Sequence, residues 1–163
     1  MTPPDDTMLH PEIERLDRGD LTAIQRRKLA ALGARLAKSP AWVEHFRKGG
    51  VHPSDLSDPQ ALAQVPFLEK SQLRDQYPFP LLTVPVESVE RFCATSGTTG
   101  LPVLFGFTRA DMAMLAKQVA RQLYCHGLRA GDRAYNGFGF GLWVGGLAFD
   151  LGLAELGAVN FPV

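Results

Sequence analysis

The stretch that most limits the possible folds runs from Arg133 to Val163. Arg133 to Asn136 reads as a strand, about Leu142 to Leu156 as a helix ended by Gly157, and Ala158 to Val163 as a second strand. Strand, helix and strand with short connections make a βαβ unit. That unit requires parallel pairing and a right-handed crossover. Leu128-Arg129-Ala130-Gly131-Asp132 is the turn that feeds it. Upstream, Thr108-Arg109-Ala110-Asp111 has the spacing of a capping box, and the helix it starts runs to about Tyr124 or Cys125. Met112, Leu115, Ala116, Val119, Ala120 and Leu123 follow helical spacing, so the methionines read as core filler. Gly127 is placed to terminate this helix.

Before that helix, Thr95-Ser96-Gly97-Thr98-Thr99-Gly100 puts four hydroxyl residues and two glycines in six consecutive positions. Val89 to Ala94 and Val103 to Phe107 read as strands on either side. Glycines let successive N–H groups point into one concavity, and the hydroxyls add donors, which suits phosphate oxygens. The same residues also suit a polar hairpin turn. The stretch is not a Walker A loop, because Leu101-Pro102 follows where that motif has lysine and a helix.

The first eighty residues read as short helices punctuated by proline. Met1 to Arg18 is an expected irregular arm. Asp20 is expected to cap a helix from Leu21 to about Lys38, with Leu21, Ile24, Leu29, Leu32 and Leu36 near one face. Its basic residues, Arg26, Arg27, Lys28 and Arg35, read as a solvated face rather than a phosphate site. Ser39-Pro40 starts a second helix that turns Trp42, Val43 and Phe46 inward and ends at Gly49-Gly50. Asp58-Pro59 starts a third, stopped by Pro66, and Lys70 to Tyr77 forms one or two turns. Leu56, Leu62, Val65, Phe67 and Leu68 are expected to supply apolar contacts. The expected organisation is an N-terminal arm and helical subdomain over 1–80 and a partial α/β subdomain over 81–163, both within one larger domain.

Composition narrows the function. The 163 residues are 45% hydrophobic and 21% charged, with seventeen basic and seventeen acidic side chains. That is a globular composition with no net charge, so nucleic acid is not an expected partner. No apolar run is long enough to span a membrane and no signal peptide is present, which reads as a cytoplasmic protein. Cys93 and Cys125 lack metal spacing and read as small buried side chains. His10, His45, His52 and His126 are scattered, and His126 has a structural place at a helix end. No metal ligand and no catalytic residue is assigned.

Asn136-Gly137-Phe138-Gly139-Phe140-Gly141-Leu142-Trp143 leaves the carboxyl end of a parallel strand, where α/β folds place ligands. Gly139 and Gly141 beside Phe138, Phe140 and Trp143 leave room for a flat ring. The aromatics could equally seal the sheet against the following helix.

Two of these words carry a resemblance. Ser96-Gly97-Thr98-Thr99-Gly100 with Pro102 resembles the phosphate loop of the adenylate-forming enzymes, and the Leu-x-x-Gly-Asp word at Leu128 is similar to theirs. Phe67 to Phe79, Val84-Pro85 and Val89 to Ala94 resemble the phenylacetate–CoA ligase family within that superfamily. The match runs from about Pro11 to Val163. It implies an α/β fold corresponding to the N-terminal portion of an adenylate-forming enzyme. It also implies ATP-dependent activation of an aryl carboxylate to an acyl-adenylate, followed by transfer to coenzyme A, with Mg²⁺ offsetting the phosphate charge. Thr95, Ser96, Gly97, Thr98, Thr99 and Gly100 would hold the phosphates. Phe138, Phe140 and Trp143, with Gly139 and Gly141, would line the aryl pocket. Phe138 and Trp143 stand where the family has a pocket Tyr and a pocket Phe. Leu101 replaces the usual lysine. The family's remaining motifs, including its catalytic lysine, have no counterpart here. The expectation is therefore a segment completed by the rest of a parent chain or by a second copy in a homodimer, and inactive in the full reaction by itself. The alternative is a non-catalytic relative that binds nucleotide or aryl acid weakly or serves in dimerisation.

Overall fold

A computed structural model of the chain describes residues 7–75, 79, 81–95 and 102–162. In chain order the elements are α1 (Pro11–Glu14), α2 (Arg18–Leu36), α3 (Pro40–Arg47), α4 (Pro59–Leu62), α5 (Lys70–Asp75), β1 (Arg91–Ala94), β2 (Leu104–Phe107), α6 (Arg109–Cys125), β3 (Arg133–Asn136), α7 (Val144–Leu156) and β4 (Val159–Pro162). Short 3₁₀ turns occupy Pro53–Ser57 and Val86–Ser88. The chain divides into two compact units. One spans 16–86, and the other combines the described residues up to Arg15 with those from Glu87 onward.

The 16–86 unit is helical and is built around Leu36, Phe46 and Leu56, with Leu29, Leu32, Trp42, Val51 and Val65 packed against them. The helix α2 begins earlier than its sequence suggests. Asp17, not Asp20, is the N-cap, and its carboxylate accepts the Asp20 N–H at 2.8 Å. Both aspartates lie in one turn, and using the first adds a turn of helical hydrogen bonds. Pro11–Glu14 is likewise a helical turn within the expected arm. Pro40 opens α3 and Gly50 follows it at φ +72°. Asp58 caps α4 by accepting the Gln60 N–H at 2.9 Å. Two expected contacts fail. Leu62 is 49% exposed and Phe67 94% exposed. The Pro66 carbonyl instead meets the His45 ring nitrogen at 2.8 Å, which anchors the segment without using the Phe67 ring.

In the other unit, β1 and β2 form an antiparallel hairpin with Ala94 opposite Leu104. The helix α6 follows at once. Its capping box is made as read: the Asp111 N–H donates to Thr108 Oγ1 at 3.2 Å and the Thr108 N–H to the Asp111 carboxylate at 2.9 Å. Met112, Ala116, Val119 and Ala120 are buried. Met114 is 49% exposed, so it is not core filler. Cys93 is buried, but Cys125 is exposed at the helix end, contrary to the expectation for both. Gly127 follows with φ +98°. The strands β3 and β4 pair in parallel, Arg133 with Val159 through Asn136 with Pro162, and α7 makes the crossover. Gly157 ends α7 in the left-handed region at φ +78°, a conformation glycine adopts at little cost.

The helices α6 and α7 pack closely at Gly152. A Cβ there would overlap Val119 Cγ1 and come within 3.2 Å of the Ala120 amide nitrogen. One face of the β3–β4 pair carries Tyr135 and Phe161, whose rings stack at 5.3 Å and stay 81% and 41% exposed. No helix among the described residues is long and apolar enough to cross a membrane.

Candidate functional site

Two segments distant in sequence meet at the end of β1. The Ala94 N–H, on the strand edge away from β2, donates to the Leu142 carbonyl at 2.7 Å. This bond joins the stem of the hydroxyl–glycine bend to the glycine–aromatic loop.

The stem itself is closed by Thr95. Its N–H donates to the Val103 carbonyl at 3.0 Å, and its Oγ1 accepts the Val103 N–H at 3.0 Å. The Thr95 amide is therefore committed within the chain. Ser96, Gly97, Thr98, Thr99, Gly100 and Leu101 lie outside the described residues. Cys93, just before the stem, is 2% exposed. Burial pushes its thiol up from the ordinary value, against a smaller opposing pull from Arg91. A neutral buried thiol is a packing group, not a nucleophile.

The aromatic loop leaves β3 at Asn136. Phe138, Phe140 and Trp143 are 42%, 50% and 47% exposed, so each keeps part of its surface open to solvent. Phe138 stacks on Phe149 of α7, with centroids 5.1 Å apart and planes 19° apart, and meets Trp143 at 5.3 Å and 58°. The Trp143 ring lies against Gly145. Gly146 is required by close approach: a Cβ there would sit 2.7 Å from the Gly139 carbonyl oxygen and 3.0 Å from that of Phe138. Gly139 and Gly141 are exposed, and a Cβ on either would meet nothing within 4 Å. The result is an open aromatic shelf backed by the first turn of α7.

Two residues escaped the sequence reading. Phe149 supports Phe138 from the helix, and its signal was an aromatic about one turn past the glycine pair. Asn136 is a buried polar residue, and the sequence reads it only as the last residue of a strand. Among the described residues, no group of three or more His, Cys, Asp or Glu side chains could hold a metal ion.

Comparison with known protein-family models gives no match. Individual proteins do match. The chain is 40% identical over 157 residues to a phenylacetate–coenzyme A ligase of Thermus thermophilus, covering 96% of this chain and 35% of that protein. It is 40% identical over 157 residues to the ligase of that name from Aromatoleum evansii, covering 89% and 36%. It is 37% identical over 158 residues to the one from Escherichia coli, covering 96% and 36%. The chain thus spans about a third of the length of the curated relatives it matches. Among solved structures, 2-hydroxyisobutyryl-CoA ligase in complex with 2-HIB-AMP and CoA aligns with TM-score 0.87 at 28% identity, over 99% of this chain and 35% of that one. An open conformation of the same ligase aligns with TM-score 0.85 at 25% identity, over 99% and 39%. In sequence and in fold, the chain corresponds to the N-terminal portion of the phenylacetate–CoA ligase family of adenylate-forming enzymes.

Proposed function

We propose that the chain supplies the phosphate bend and the aryl-binding shelf of an ATP-dependent acid–thiol ligase acting on an aryl carboxylate of the phenylacetate type. The observation that carries this reading is the Ala94–Leu142 bond at 2.7 Å, which sets an open aromatic shelf beside the stem of a hydroxyl–glycine bend. One segment is suited to a flat apolar ring and the other to phosphate oxygens, and an aryl acid and ATP need both side by side. In the first step the carboxylate attacks the α-phosphorus of ATP, forming an acyl-adenylate and releasing pyrophosphate. In the second the thiol of coenzyme A attacks the acyl carbon and AMP leaves. A carboxylate is already anionic near neutral pH, so the shelf needs no general base.

Each segment has a definite task. Phe138, Phe140 and Trp143, with Gly139 and Gly141, take the ring. Ser96, Gly97, Thr98, Thr99 and Gly100, with Thr95 closing the neck, donate to the phosphates and support the charge that develops on them. The described residues offer no ligand cluster for Mg²⁺, which in this reading accompanies the ATP phosphates. The rest of a parent chain would complete the enzyme. Leu101 in place of lysine favours a second reading, a non-catalytic relative that binds nucleotide or aryl acid weakly or serves in dimerisation.

Calorimetric titration of the chain with Mg–ATP and, separately, with phenylacetate tests the assignment. Both are expected to bind, and Gly97→Val is expected to weaken Mg–ATP alone. Absence of binding by either ligand would refute the assignment of its segment.

A further inference from the structure

Asn136 closes the aromatic loop. It stands at the carboxyl end of β3 and is only 3% exposed. Its Nδ2 donates to the Gly146 carbonyl at 2.9 Å, and its Oδ1 accepts the Phe138 N–H at 3.3 Å. Phe138 and Gly146 are the two ends of the stretch that displays the rings. The amide orientation follows from these partners. Turning it over would set oxygen against the Gly146 carbonyl and NH₂ against the Phe138 N–H.

A buried amide costs free energy unless both its ends are satisfied, and here both are. An apolar side chain could fill the same volume but could not fix two backbone groups in direction. Gly137, Gly139 and Gly141 lack side chains, and a Cβ on any of them would meet nothing within 4 Å. The Leu142 carbonyl, which holds the bend's stem, lies inside the segment that Asn136 closes.

We propose that Asn136 is a positioning residue for aryl-acid binding. It holds Phe138 on Phe149 and keeps the shelf in register with the stem without touching the substrate. This rests on the aryl-acid reading of the shelf given above.

The test uses the 163-residue chain with phenylacetate and Mg–ATP as separate ligands. Asn136→Ala is expected to weaken phenylacetate about tenfold, the equivalent of one or two lost hydrogen bonds, and to leave Mg–ATP within about twofold. Thr108→Ala, which destabilises the same unit at a distant helix cap, is expected to change neither affinity. Asn136→Asp should match the alanine variant at pH 8. It should regain phenylacetate affinity at pH 5, where a protonated carboxyl can again donate to Gly146; burial and the facing carbonyl raise such a group's pKa. Unchanged phenylacetate affinity in a folded Asn136→Ala, or an equal loss of both ligands, overturns the proposal. Should the alanine variant fail to fold, the pH series on Asn136→Asp decides it, and a flat series is the overturning result. If the unmodified chain takes up no phenylacetate, the aryl reading fails. Hydrogen exchange at the Phe138 amide then decides the positional claim, which requires protection in the parent and fast exchange in the variant.

Discussion

Replacing Gly152 with alanine tests the α6–α7 contact that supports the shelf from behind. Two opposing effects apply. Alanine is the better helix former by roughly 0.8–1 kcal/mol, which favours the variant. Its Cβ, however, would overlap Val119 Cγ1, lie 2.7 Å from Val119 Cβ and reach 3.2 Å from the Ala120 nitrogen. Val119 is β-branched, with one preferred helical rotamer, and Ala120 is fully buried. The side chain cannot swing clear and the helices must separate. Overpacking of this kind costs about 1–3 kcal/mol. The net is a loss of up to about 2 kcal/mol, or a fall in Tm of up to roughly 8 °C for a chain of this size. Cys93 provides the assay, because it is 2% exposed and belongs to the same unit. In a Cys125→Ser background, its labelling by a thiol reagent during a temperature ramp reports that unit alone. Val119→Ala should cost stability in the parent but recover part of the loss in the Gly152→Ala background, with a coupling of about 1 kcal/mol between the two sites. A Gly152→Ala chain that melts higher than the parent, with no coupling to Val119, would refute the close-contact reasoning.

The two thiols should separate cleanly. Cys125 is expected to label in the folded chain and Cys93 only on unfolding, read by mass spectrometry of the labelled peptides. Because burial raises the Cys93 thiol above its ordinary value near 9, its contribution to stability is full below that value. That contribution is lost as the pH climbs through the raised one, where the unfolded chain gives up the proton first. Denaturation midpoints of Cys93→Ala should therefore fall less steeply above pH 9 than those of the parent. Thr108→Ala removes the acceptor for the Asp111 N–H and should cost about 1 kcal/mol in urea denaturation.

The parts of the fold that were legible are those written in local chemistry. Thr108 and Asp111 announce the start of α6 because a cap needs an acceptor at a fixed offset. The bounds of β3 and the end of α7 at Gly157 follow from a short segment after the Gly131-Asp132 turn, a helical run and a glycine in order. Short connections then force the parallel pairing. What failed involved choices between equivalent local signals, or exposure set by packing at a distance. Asp17 and Asp20 both qualify as caps, and only the extra helical turn separates them. Phe67 looks like core by hydropathy, yet the carbonyl beside it, not its ring, provides the anchor. Cys125 and Met114 sit on a helix whose buried stripe is narrower than its apolar content suggests. At the site, the aromatic stretch was visible as a glycine–aromatic pattern. Its tie to the bend is a main-chain bond between Ala94 and Leu142, and no side-chain type advertises such a bond.

That tie has a kinetic consequence. It links a hairpin to a crossover unit, each of which can form from nearer neighbours, so its closure must wait for both. A contact made late and resting, among the described residues, on a backbone bond at a strand end is also among the cheapest to release. Warming should therefore part the shelf from the bend while the surrounding helices persist, and ligand uptake would fade at a temperature where the spectroscopic signature of folding is still intact.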